Sequence, residues 1–331
     1  MPDAPGTATR SSAHTREAGA ESIGQRLDNY LLGCLKGVPR SHVYQLIRSG
    51  QVRVNSGRVR ASYRIKPGDR IRVPPVAQRG TSRPKIPEGG VQWLAERILY
   101  ENSRVLVLDK PSGMAVHGGS GLRFGCIEAL RSLKPELRGA DLVHRLDRGT
   151  SGCLLIAKRR SALRQLHELL RTNGMEKCYL ALVLGAWPHG RVQVDLPLST
   201  RRRGGESFVT VDPSGKPALS EFRVVEQFGS RATLLEVSIA TGRTHQIRVH
   251  AAHLGHPVAG DDRYGDERFN VEMRKLGLSR LFLHAHALAF VWPDKEEEFS
   301  VSAPLPDDLS RVLDALSGGS QSNRGDPDAA P

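Results

Sequence analysis

Between Asp141 and Gly152 the chain reads DLVHRLDRGTSG. A carboxylate beside an arginine, on a stretch closed by Gly149, Thr150 and Gly152, is the kind of group that attacks a carbon centre or takes a proton. The apolar run Leu154 to Ala157 follows at once and predicts a buried strand beneath a tight loop. Asp147 is therefore the first candidate for chemistry. The competing reading is a solvated Arg145–Asp147 ion pair, which contributes little at a surface.

Four other segments carry reactive residue types: Asp109 to Gly113 (DKPSG), Lys177-Cys178-Tyr179, Thr241 to His250 (TGRTHQIRVH) and Arg280 to Leu288 (RLFLHAHAL). His245, His250, His253 and His256 invite a metal reading, since His250 with His253, or His253 with His256, could share a helix face. No carboxylate lies within that run and no HExxH occurs, so no metal is expected and the histidines read as backbone-bonded or facing RNA. Tyr179, in YLALVLG, reads as a core aromatic on spacing alone. Arg201-Arg202-Arg203 predicts a loop tip, with solvated charge and a phosphate contact both open. Cysteines 34, 126, 153 and 178 have no paired spacing, which argues against disulfides and a cysteine zinc site.

These residues must be positioned by more than one domain. A chain of 331 residues exceeds the roughly 250–300 at which one core stops growing. The formal charge of +13 asks for a polyanionic partner, and Ser22 to Gly80 alone holds 12 Lys/Arg against 2 Asp/Glu. No stretch approaches the roughly 18 apolar residues of a membrane span, and the polar N-terminus has no signal core. A soluble, cytoplasmic protein is expected, with monomer as the default. Residues 1–21 and 317–331, rich in Gly, Ser, Pro and Asp, read as disordered tails.

Leu27, Tyr30, Leu31 and Leu35 recur at helical spacing until Gly37 and Pro39. Ser41 then opens a second helix with Val43, Leu46 and Ile47 on one face. Strands are expected at Val52 to Asn55, Val59 to Ile65 and Arg70 to Val73, with turns at Asn55-Ser56-Gly57 and Pro67-Gly68-Asp69. Two helices leading into a small basic sheet, with the phrases RSHVYQLIRSGQVRVN and KPGDRIRV, resemble the S4 RNA-binding domain. Residues 22–80 are assigned to it, with Arg40, Arg48 and Arg53 as candidate RNA contacts. Pro, Gly and Arg dominate Pro74 to Gly90, and a semi-rigid linker is placed at 81–95. A helix is expected at Ser161 to Leu170. Strands are expected at Val105 to Leu108, Tyr179 to Leu184, Leu219 to Glu226, Ala232 to Ala240 and Leu281 to Val291. Strands outnumber helices without alternating strictly with them, so residues 96–316 read as an α+β domain on a mainly antiparallel sheet.

In their order along the chain, the DKPSG turn, the HRLD loop, the Lys177–Tyr179 segment, TGRTHQIRVH and RLFLHAHAL resemble the motifs of the RluA-type RNA pseudouridine synthases. The runs GQRLDNYLLGCLKGVPRS, HGGSGLRFG and GHPVAGDDRYGD bring it nearer to the C-type branch, which acts on 23S ribosomal RNA, than to the D-type branch with the same two domains. The resemblance implies isomerisation of uridine to pseudouridine without a cofactor or metal. It makes Asp147 the catalytic carboxylate, as nucleophile at C1′ or base at C2′, and Arg248 its partner. A nearby guanidinium lowers an Asp pKa by roughly 1–3 units, which keeps the carboxylate ionised in a partly dry site. Arg145 is implied to occupy the place of a flipped base, with His144 and Arg243 as further RNA contacts. Tyr179 is implied to lie against the uracil and Leu281 to wall its pocket, while Lys110 and Pro111 build the cleft floor.

Overall fold

Leu27 and Leu31 of α1 (Leu27–Cys34), with Leu35 just past its end, point inward and meet Val43, Leu46 and Ile47 of α2 (Arg40–Arg48). The helical spacing of these apolar residues gives each helix one face to bury. Below them lies a three-stranded antiparallel sheet of β1 (His14–Glu17), β2 (Arg53–Val54) and β3 (Arg70–Val73), in the order β1-β3-β2. This computed structural model describes residues 13–35, 38, 40–76, 90–118, 124–188, 190–203 and 206–321. They divide into two units, Met1–Lys85 and Ile86–Pro331.

Two expectations for the first unit need correction. Residues 1–21 are not all tail, because His14–Glu17 takes up the free edge of β3, from His14 opposite Val73 to Glu17 opposite Arg70. Residues 1–12 lie outside the described residues. Val59 to Ile65 is not a strand: the Tyr63 and Ala61 carbonyls accept from the Leu27 and Asp28 N–H groups at 2.8 and 3.1 Å. Those are first-turn donors of α1 that have no partner within the helix.

The second unit begins earlier than expected. Val91 and Leu94, assigned to the linker, are buried in its core, and Gln92–Arg97 forms a 3-10 helix; residues 81–89 lie outside the described residues. Next come β4 (Ile98–Glu101), β5 (Val105–Lys110), α3 (Cys126–Leu133), β6 (Asp141–Leu142), β7 (Ser151–Ala157) and α4 (Arg160–Arg171). They are followed by β8 (Met175–Leu184), β9 (Arg191–Asp195), the hairpin of β10 (Leu198–Arg203) and β11 (Glu206–Val211), β12 (Leu219–Phe228) and β13 (Ala232–Ile239). The chain closes with α5 (Gln246–His253), α6 (Glu267–Lys275), β14 (Leu283–Val291), β15 (Glu298–Ser302) and α7 (Asp307–Gln321).

The main sheet runs β4-β5-β7-β14-β8-β13-β12-β9, with β15 on β14 and β6 on β7. Among the described residues every pairing in it is antiparallel except β7 with β14, where His284 stands opposite Ser151. The fold is α+β. β7 is buried along its whole length, as its unbroken apolar run requires. Leu106, Leu108, Leu154 and Ile156 face a core that includes α3, while Val105, Val107, Cys153 and Leu155 face another that includes α4.

Two further readings change. The C-terminal tail starts later than 317, because α7 continues to Gln321; Leu309, Val312 and Leu316 anchor it against Phe228 and Phe282. Residues 322–331 lie outside the described residues. Arg201–Arg203 belong to β10 itself, where Arg201 ion-pairs with Asp212 at 3.1 Å.

Candidate active site

The loop between β6 and β7 carries Asp147 and is fastened on two sides. On one side, Ser112 Oγ donates to the Gly149 carbonyl at 2.7 Å, the Gly113 N–H to the Arg148 carbonyl at 2.8 Å, and Arg148 Nε to the Gly113 carbonyl at 2.8 Å. Lys110 lies fully buried beneath, its ammonium donating to the carbonyls of Pro111, Met114 and Arg148 at 2.9, 2.8 and 3.2 Å. Burial pushes its pKa down to about 8. The DKPSG turn therefore acts as a clamp on the Asp147 loop.

On the other side, His144 Nε2 accepts the Leu155 N–H at 3.0 Å, and burial pushes its pKa down to about 4. This corrects the RNA-contact reading of His144, whose ring ties the loop to β7 and does not line the cleft. Gly152 completes the placement. At φ 104° its absent Cβ would sit 2.2 Å from the Ala285 carbonyl oxygen, so only glycine lets β7 come this close to β14.

Arg248 is placed by α5, whose start is locked by the buried Gln246. Its Oε1 accepts from Thr241 Oγ1 and the Arg243 N–H at 2.7 and 3.0 Å, and its Nε2 donates to the Leu219 carbonyl and Ser220 Oγ, both at 2.9 Å. Arg248 Nη1 reaches Asp147 Oδ2 at 3.5 Å. No ion pair joins Arg145 to Asp147, and Arg145 is exposed. The tight partner of Arg248 is Asp261, gripped by Nε and Nη2 at 2.7 Å each. Burial penalises the Asp261 carboxylate, but Arg248 and the Arg263 and Tyr264 backbone N–H groups outweigh that and hold its pKa below the usual range. Gly260, at φ 71°, admits the Arg280 carbonyl 2.1 Å from where a Cβ would stand, seating this loop against the start of β14.

Two cavities that share Asp147 among their lining residues lie at the site. The larger, about 920 Å³, is lined by Arg145, Asp147, Arg248 and Leu281, with Arg148, Arg263, Arg274 and Arg280 adding charge. The smaller, about 60 Å³, is lined by Arg145, Asp147, Tyr179, Arg243 and Arg248. Its apolar walls are Leu146, Ile239, Ile247 and Leu283, so Leu283 and not Leu281 shares the cavity with Tyr179. Tyr179 is pushed well above the ordinary tyrosine range by burial first and by the Asp147 charge second, so it is a neutral phenol at working pH. Arg243 Nε donates to the Pro217 carbonyl at 2.9 Å. Arg48 and Arg53 are exposed on the first unit, and the Arg40 side chain lies outside the described residues.

The histidine run holds no metal arrangement. Both ring nitrogens of buried His250 are engaged, at 3.0 Å each, by Ser220 Oγ and the Leu196 carbonyl, and His256 Nδ1 contacts the Leu184 carbonyl at 2.7 Å. Among the described residues no cluster of three His, Cys, Asp or Glu could hold a metal ion, and no helix is long and apolar enough to cross a membrane. Sequence reasoning missed Asp261 and Tyr264, and it read His245 only as backbone-bonded or facing RNA. Asp261 and Tyr264 stand in GHPVAGDDRYGD, whose acids and tyrosine were the available signal, and His245 directly precedes α5.

Comparison with known proteins gives the family. Residues 104–253 match the family described as RNA pseudouridylate synthase, and residues 25–71 match the S4 domain. Ribosomal large subunit pseudouridine synthase C of Yersinia pestis is 52% identical over 300 residues, covering 90% of this chain and 93% of that protein. The protein of the same name from Escherichia coli strain K12 is 51% identical over 302 residues, covering 90% and 94%. Among solved structures, human RNA Pseudouridylate Synthase Domain Containing 4 superposes with a TM-score of 0.57 at 26% identity, over 69% of this chain and 95% of that one. The chain, an S4 unit followed by a unit whose candidate site gathers around Asp147, belongs to the RNA pseudouridine synthase family.

Proposed function

We propose that the protein converts specific uridines of large-subunit ribosomal RNA, the 23S molecule, to pseudouridine, with Asp147 as the reacting carboxylate. The observation that carries this reading is Asp147 lining a small, partly apolar cavity together with Tyr179, with Arg248 at 3.5 Å. The names of the relatives supply the substrate.

The larger cleft, rich in arginine, receives the RNA backbone. Arg145, exposed at the junction of the two cavities, takes the place vacated by the target base, whose unstacking costs a few kcal/mol. As nucleophile, Asp147 forms a bond to C1′ while the C1′–N1 bond breaks and its electron pair leaves with uracil. The uracil rotates, its C5 displaces the carboxylate from C1′, and the C5 proton is lost as N1 gains one. As base, Asp147 takes the C2′ proton while uracil departs, and returns it after C5 joins C1′. Either route is a net isomerisation with no oxidant or reductant. Arg248 holds its positive charge against Asp147 Oδ2, and neutral Tyr179 backs the uracil. The S4 unit holds the RNA near this site and raises its local concentration.

The test is incubation of wild type and Asp147→Asn with 23S rRNA, followed by mapping of pseudouridine by carbodiimide-dependent primer extension. Wild type modifies a small set of uridines and the variant loses at least about 10²–10⁴-fold in rate. Identical maps would leave a noncatalytic RNA-binding protein, and the positions modified separate the C-type from the D-type target set.

A further inference from the structure

His245 is the group whose placement the mechanism above leaves without a purpose. It sits at φ 55°, in the left-handed region that a non-glycine residue occupies at some strain, immediately before α5. Such strain persists where the surroundings over-determine it and collects at functional sites. Its Nε2 lies 3.9 Å from Asp147 Oδ2, the same oxygen that Arg248 Nη1 approaches at 3.5 Å. Its Nδ1 lies 2.8 Å from the Tyr264 hydroxyl, which in turn accepts the Val209 N–H at 3.0 Å.

That chain of contacts has a direction. A backbone N–H can only donate, so Val209 occupies a lone pair of the Tyr264 oxygen. His245 Nδ1 is the acceptor within reach of the hydroxyl proton, and a ring that accepts at Nδ1 carries its own proton on Nε2. The surrounding charges agree. Burial is the main influence lowering the His245 pKa, Arg248 and Arg263 lower it further, and Asp147 and Asp261 oppose them; the ring is neutral at pH 7. Arg248 also stacks 5.1 Å from the Tyr264 ring, so both groups that approach Oδ2 rest on one tyrosine.

We propose that His245, oriented by Tyr264, is a positioning residue that donates from Nε2 to Asp147 Oδ2, so that Oδ2 is engaged by two donors and Oδ1 is the oxygen left to meet the ribose. The present 3.9 Å exceeds a hydrogen bond, and such contacts tighten when substrate closes the site. The inference rests on Asp147 being the reacting carboxylate. It adds a tautomer, a donor and a choice between two oxygens.

Two measurements decide it. Nitrogen-15 NMR of histidine-labelled, RNA-free protein at pH 7, with His245 assigned by its absence in His245→Gln, is expected to show the Nε2–H tautomer. A cationic ring or the Nδ1–H tautomer overturns the proposal, whatever the enzyme does to RNA. In single-turnover kinetics His245→Ala is expected to lose about tenfold to hundredfold in kcat with KM unchanged, the value of a hydrogen bond to a charged group. His245→Gln, whose amide also donates, is expected to recover most of that loss. A His245→Ala kcat within about twofold of wild type, a loss confined to KM, or a Gln variant as slow as the Ala variant refutes it. If wild type modifies no uridine at all, the functional reading fails while the tautomer result stands.

Discussion

Asp261→Asn separates the support of the Arg248–Asp147 pair from the pair itself. The Asp261 side chain is 0% exposed and that of Arg248 12%, with two charge-assisted contacts of 2.7 Å between them. Removing one partner of such a buried pair costs about 3–5 kcal/mol, because the other charge stays buried without compensation. Asparagine Oδ1 can still accept the Arg263 and Tyr264 N–H groups, which Asp261 Oδ1 accepts at 2.9 and 3.0 Å, so the local turn survives. At about 2–4 °C per kcal/mol for a domain of this size, the expected fall in Tm is roughly 6–20 °C. The charge on Arg248 then has Asp147 as its remaining carboxylate, and turnover is expected to fall as that pair tightens and holds the Asp147 carboxylate back. The pH dependence gives the sharper check. Asp261 titrates below its ordinary 3.8 in the folded protein, so its contribution is complete above pH 3.8 and lost as pH falls through the folded value. Chemical denaturation midpoints of wild type and variant should therefore differ most near neutrality and converge in acid. A Tm difference under about 2 °C at pH 7, or a gap that stays constant below pH 3.8, would refute the reasoning.

Two other perturbations probe the elements around the site. Lys177 is buried on β8 with its pKa pushed by burial from 10.5 down to about 8, so the folded state carries a desolvation penalty that is complete below about 8 and gone above 10.5. Lys177→Met should raise stability at pH 7 by at most about 3 kcal/mol and leave it unchanged above pH 10.5; a variant less stable than wild type in urea at pH 7 would contradict this. Arg145→Ala should leave stability within about 0.5 kcal/mol, since the side chain is exposed, yet slow modification of folded RNA more than of an unstructured oligonucleotide. Equal slowing of both substrates would rule out a role for Arg145 in holding the base out.

Much of this arrangement is legible in the sequence because its signals are local. The LLIA run announces β7, and the leucine spacing announces α1 and α2, since each is set by burial of residues a few positions apart. Asp147 stands out in its own loop, Arg248 and Tyr179 are legible only through the order of the motifs, and the structure brings the three onto one small cavity. What escapes is held by long-range exchange of hydrogen bonds. Asp261 and Arg248 read as separate charges until a loop and a helix meet, and His144 reads as part of the reactive run until its ring accepts a backbone N–H from the next strand. His14–Glu17 has no apolar alternation, and only the free edge of β3 makes it a strand. Leu94 fills a core that its proline-rich and glycine-rich approach conceals.

The pairing of β7 with β14 has a consequence in time as well as in space. Because these two strands run parallel, the loops that enter them arrive at the same end of the sheet, and Asp147 meets the wall formed around Leu281 to Leu283 only there. The contact between Ser151 Oγ and His284 Nδ1, at 2.9 Å, closes 133 residues of chain. Closure over such a separation is entropically opposed and comes after local contacts. A chain still emerging from synthesis can therefore form the Asp147 loop and the β12–β13 hairpin without possessing a site. Competence to modify RNA arrives with β14, so the protein cannot act on RNA before nearly all of its catalytic unit has been made.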